Sequence, residues 1–149
     1  MTEILHLAGE PDLDRILPMA AAFHAEEGLD LSDEHRLNAL LPLLKGEPHG
    51  AIWLIGPKIS PVGYIVVCFG WSIEFGGLDA IIDEVWIREK VRGRGMGGEV
   101  LRVLTANLSA AGVRAVHLEV GGDNPKAERL YRRAGFRKRD GYHLMSWIA

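Results

Sequence analysis

The stretch Val85-Trp86-Ile87-Arg88-Glu89-Lys90-Val91-Arg92-Gly93-Arg94-Gly95-Met96-Gly97-Gly98 joins an apolar strand to a helix through a basic, glycine-rich turn. Its four glycines leave the backbone bare, so N–H groups can converge on an anion at the positive end of the helix that follows. Arg92 and Arg94 add forked, charged donors. The whole chain has a formal net charge of -3, which argues against a nucleic-acid surface, so the basic turn should hold something small.

Upstream of the turn, residues 51–55, 62–71 and 80–87 are rich in β-branched and aromatic side chains and are separated by Gly- and Pro-containing turns, the pattern of an antiparallel meander. Before them come a short strand around residues 4–7 and a helix over 11–27, with an irregularity at Pro18 and a stop at Gly28. A second helix follows, capped by Ser32, striped by Leu37, Leu40, Leu41 and Leu44, and closed at Gly46. Downstream, Leu101, Leu104, Leu108 and Ala111 share one face of a helix over 97–111. Val116, Leu118 and Val120 then alternate in a strand, so a strand-helix-strand unit surrounds the glycine turn. Asn124-Pro125 opens a last helix, Gly135 stops it, and residues 142–148 are predicted to return as a final strand. The expectation is one α/β domain over 1–149 with a mixed sheet: an antiparallel meander, then a parallel strand-helix-strand unit, with helices on both faces.

Composition agrees: 48% hydrophobic and 25% charged residues over 149 positions describe a single ordinary globular core. Cys68 is the only cysteine and lies in the apolar run 64–69, which predicts a buried, inert thiol, no internal disulfide and a reducing compartment. The first residues carry no basic start, and no apolar run reaches the roughly 18 residues a membrane helix needs, so a cytoplasmic protein without a membrane partner is expected.

The segment from Ile81 to Phe136 resembles the GNAT superfamily of N-acetyltransferases, and most of the chain follows that family's order. Arg92-Gly93-Arg94-Gly95-Met96-Gly97 fits its Arg/Gln-x-x-Gly-x-Gly/Ala pyrophosphate loop, after the acidic-hydrophobic strand Asp83-Glu84-Val85-Trp86-Ile87. Asn124, Tyr131 and Gly135-Phe136 match the downstream pattern. The competing dinucleotide fingerprint, Gly93-x-Gly95-x-x-Gly98 with Glu119 beyond it, stays as a less favoured alternative, weakened on two counts. The turn does not follow directly on its strand, and too little chain remains after Glu119 for a doubly wound sheet.

The resemblance implies acetyl-CoA as donor, with coenzyme A as product, held by the backbone of Val85, Trp86 and Ile87, by Arg92 to Gly98 and by Asn124. It implies Tyr131 as the acid that protonates the departing thiolate, and Glu84 or Asp83 as the group that relieves the acceptor amine of its proton. Glu84 is the first choice; adjacent strand residues point to opposite faces, so only one of the two reaches the acceptor unless a bulge re-aims them. Glu26 and Glu27 after the first helix, and Trp71, Glu74 and Phe75 in the meander, are expected to favour a small cationic amine over a protein acceptor. A non-catalytic acyl-CoA-binding or regulatory module is the alternative; it would tolerate Tyr131→Phe and Glu84→Gln. Dimers are common among proteins of this resemblance, which makes a homodimer an expectation with no pairing surface assigned. No histidine pair has metal-ligand spacing, so no metal site is expected, and the basic run from Arg129 to Arg139 reads as a solvated face.

Overall fold

The computed structural model describes residues 3–149. Five strands form one sheet in the order β1 (Leu5–Leu7), β2 (Gly50–Ile55), β3 (Gly63–Ser72), β4 (Gly77–Ile87) and β5 (Ala115–His117). β2, β3 and β4 pair antiparallel as the predicted meander, β1 adds antiparallel to β2, and β4 pairs β5 in parallel. The helices are α1 (Leu13–Glu26), α2 (Asp33–Leu44), α3 (Met96–Ala110) and α4 (Pro125–Arg133). A short 3₁₀ turn over Glu10–Asp12 takes the first residues expected of α1, and the Ser32 hydroxyl caps α2 by accepting from the His35 amide.

Strand periodicity puts the apolar side chains on two faces, and each face takes its own helices. Ile52, Leu54, Tyr64, Val66 and Trp86 pack under α1 and α2 against Ile16, Met19, Ala20, Leu40 and Leu44. On the other face Ile55, Ile65, Val67, Ala80 and Ile82 meet Val100, Leu101, Leu104 and Leu108 of α3, with Leu130 and Tyr131 of α4 packed beside them. Gly63 is needed where β3 crosses β4, because a Cβ there would run into the Trp86 carbonyl oxygen.

Two features position the site. The first is a β-bulge: Val66 pairs Glu84 while Val67 pairs Ile82, leaving Asp83 as the extra residue. Alternation changes phase across it, so Ala80 and Ile82 face α3 whereas Glu84 and Trp86 face α1. The second is a splay. β5 pairs β4 only through Asp79, Ala80 and Ile81, so beyond Ile81 the outer edge of β4 has no strand beside it among the described residues.

Three expectations need correction. The strand expected to carry Val116, Leu118 and Val120 ends at His117, so Leu118 and Val120 lie outside it. Residues 142–148 form no strand: β5 ends at His117 and no ladder takes up the last segment, so Tyr142, Leu144, Met145, Trp147 and Ile148 are 72–91% exposed. Cys68 is half-buried rather than enclosed, because β3 runs out from under its helices after Val67. Burial, with the Asp83 charge, still pushes its thiol up, which disfavours the reactive thiolate.

Candidate active site

The glycine turn does not leave β4 directly; a 3₁₀ turn over Glu89–Val91 intervenes, as the spacing requires. Gly93 and Gly95 sit at φ +78° and +80°, a left-handed conformation that side chains rarely adopt, with open space where a Cβ would stand. Gly95 is the N-cap of α3 and supplies no side-chain acceptor, so the amides opening this 15-residue helix are left for an outside anion. Gly97 has a different role from Gly93 and Gly95: a Cβ there would press on Leu130 of α4 at 3.3 Å, so it lets α3 and α4 close together. Gly98 is buried, and its Cβ would meet Arg102.

Arg94 is exposed beside these amides. Arg92 is held: Nε donates to the Ile87 carbonyl at 2.6 Å, and Nη2 lies 2.9 Å from both oxygens of Glu26. Glu26 also accepts from the Trp86 indole at 3.1 Å, and the Arg92 guanidinium lies 5.9 Å over that ring. Glu26, expected at the acceptor, is therefore engaged by Arg92 and Trp86 beside the glycine turn. Together, the open β4 edge over Val85, Trp86 and Ile87, the two left-handed glycines and the uncapped helix suit a ligand with an extended amide arm and a pyrophosphate.

The carboxylates occupy the bulge. Glu84 Oε2 lies 2.6 Å from His24 Nε2, and Oε1 accepts from the Tyr64 hydroxyl at 2.9 Å. Burial and the Glu84 charge hold the Tyr64 phenol far above its ordinary value, so it keeps the proton it donates to Glu84. His24 Nδ1 accepts from Arg36 Nε at 3.0 Å. Asp83 is exposed and has no such partners among the described residues; loss of water, then the charges of Glu84 and Glu119, raise its carboxyl above the usual range.

Tyr131 stands on α4, packed against the α3-side core, half-buried and edge-on to Phe136 at 6.2 Å. Burial, with the charge of Glu27, raises its phenol, which keeps it protonated at neutral pH. Asn124 caps α4, its Oδ1 accepting from the Ala127 amide at 3.1 Å.

The remaining acceptor candidates lie elsewhere. Trp71, Glu74 and Phe75 form the β3–β4 hairpin, at the end of β4 opposite the glycine turn. Glu74 accepts from Arg139 at 2.8 Å, and that guanidinium stacks over Phe75 and Tyr142. The hairpin is thus tied to the C-terminal segment and is not brought to Glu84. Nothing in the sequence marks His24, Arg36 and Tyr64 as a group, because Glu84 lies 60 and 20 positions from His24 and Tyr64, and Arg36 reaches it only through His24.

Comparison with known proteins agrees with this geometry. Residues 13–136 match the model of the acetyltransferase (GNAT) family. An integron cassette protein from the mobile metagenome of Cole Harbour Salt Marsh is 32% identical, with a TM-score of 0.82 over 97% of this chain and 89% of that one. A possible acetyltransferase from Clostridium difficile 630 (TM-score 0.86, 20% identity, 99% of each chain) shares the fold. So does a ribosomal-protein-alanine N-acetyltransferase from Brucella melitensis biovar Abortus 2308 (TM-score 0.75, 13% identity, 96% of this chain and 99% of that one). With the family model covering α1 to α4, four of the five strands and the glycine turn, this chain belongs to the GNAT family of acetyltransferases.

Proposed function

We propose that the protein transfers an acetyl group from acetyl-CoA to a small primary amine by direct attack. The observation that carries this reading is the acidic lip at the bulge of β4, where Glu84 is held by His24 and Tyr64 and Asp83 stands exposed beside it. Such a lip attracts a cationic amine and then removes its proton.

Acetyl-CoA supplies an acetyl group already activated as a thioester and leaves as coenzyme A. Arg92, Arg94 and the amides from Gly93 to Gly98 would hold its pyrophosphate, and the open edge of Val85–Ile87 would receive its pantetheine arm. An alkyl ammonium has a pKa near ~10.4, so it needs a base at neutral pH. Asp83 is that base, ahead of Glu84, because both Glu84 oxygens are engaged by His24 and Tyr64 while Asp83 is exposed. Partial burial and the Glu84 charge, which raise its carboxyl, act in the same direction. Glu84, fixed by His24 and Tyr64, orients the amine by accepting a hydrogen bond. Tyr131 holds its proton at the phenol oxygen until the thiolate departs.

The test is thiol release from acetyl-CoA across a panel of cationic and neutral primary amines, with mass spectrometry of the product. Amine-dependent thiol release and an acetylated amine are expected, with cationic acceptors preferred. Tight acetyl-CoA binding without turnover on any amine would favour the binding-module alternative.

A further inference from the structure

We propose that His24 is a positioning residue of the acceptor site: its Nε2–H holds Glu84 in the orientation that meets the amine, and Arg36 sets the ring tautomer that allows it. The inference rests on the transferase reading and deepens it.

His24 is 4% exposed, on the inner face of α1. An arginine Nε always carries its hydrogen, so Nδ1 of His24, 3.0 Å from Arg36 Nε, is the acceptor and the ring proton sits on Nε2. That proton is directed at Glu84 Oε2, 2.6 Å away. Arg36 is itself 7% exposed and fixed at both ends of its fork, by Asp33 Oδ1 at 2.9 Å and the Leu31 carbonyl at 3.2 Å. The array therefore runs from the α1–α2 connection through Arg36 and His24 to Glu84, and the Tyr64 hydroxyl closes it on the other oxygen.

Stability alone does not account for it, because well-packed apolar side chains of similar volume serve a core at least as well as a buried polar array. What the array supplies is a carboxylate with no rotational freedom, next to Asp83. The bulge matters for the same reason: without the phase change at Asp83, Glu84 would face α3 and could not meet His24.

The experiment compares wild type, His24→Ala and His24→Gln in the full chain. Amine kcat/KM, acetyl-CoA Kd and the histidine ring tautomer by long-range ¹H–¹⁵N NMR are measured. Expected are an Nε2-protonated His24 in the wild type and an amine kcat/KM lowered about 10- to 100-fold in His24→Ala, the worth of one hydrogen bond to a charged group. Acetyl-CoA Kd should be unchanged, and His24→Gln, whose amide can still donate to Glu84, should recover most of the loss. An active wild type with equal amine kcat/KM in His24→Ala overturns the proposal. So does an Nδ1-protonated ring, a reading that needs no variant to fold. A wild type inert on every amine overturns the transferase reading itself, and with it this role for His24.

Discussion

Replacing Glu26 by Gln removes one negative charge and keeps the side chain's shape. Both Glu26 oxygens lie 2.9 Å from Arg92 Nη2, while Oε1 also accepts from Trp86 at 3.1 Å. A glutamine oxygen can retain the indole bond, so the change isolates the ion pair. If Arg92 holds pyrophosphate, Glu26 competes for it, and the pair's strength sets the gain on removing the competitor. Both side chains are 42% exposed, so the pair is worth ~0.2–1 kcal/mol. That converts to coenzyme A binding about 1.4- to 5-fold more tightly. The gain should shrink as salt screens the exposed pair. Calorimetric titration of wild type and Glu26→Gln at low and high salt measures it. Weaker binding by the variant would refute the reasoning, since it would mean that Glu26 aims Arg92 at the anion instead of competing with it.

Asp83→Asn should lower kcat about 10²- to 10⁴-fold in the thiol-release assay, the usual contribution of a general base. The same variant should melt higher than wild type at pH 7: a carboxyl raised by folding costs stability as pH climbs through its folded value, and the difference should vanish in acid, where both states are protonated. Tyr131→Phe should lower kcat by about 10²- to 10⁴-fold while leaving acetyl-CoA Kd unchanged by calorimetry. Gly95→Ala meets no atom within 4 Å but must adopt φ +80°, so it should cost about 1–2 kcal/mol in denaturant melts and weaken acetyl-CoA binding. Gly28→Ala, at φ +70° and equally open, should cost similar stability without touching binding.

Much of this was legible in the chain because it is local. The meander, the α3 stripe, the Ser32 and Asn124 caps and the glycine turn are all encoded within a few residues of themselves. The bulge was not, because it is a register between strands, and two adjacent acids carry no alternation that reveals it. Nor was the array around Glu84, whose members come from α1, α2 and β3. The acceptor candidates divided for the same reason: Glu26 and Glu27 end α1 near the glycine turn, whereas Glu74 and Phe75 share the far hairpin with Arg139. The last segment has strand-like composition, but composition cannot supply a neighbouring edge to pair with.

The claim on which the rest depends is that the splay and glycine turn hold acetyl-CoA, and calorimetric titration of the purified protein, with NADH in parallel, tests it most directly. Saturable one-to-one binding of acetyl-CoA, weakened by Gly95→Ala and absent for NADH, is the predicted result. Binding of NADH alone would contradict it and return the glycine turn to the dinucleotide reading.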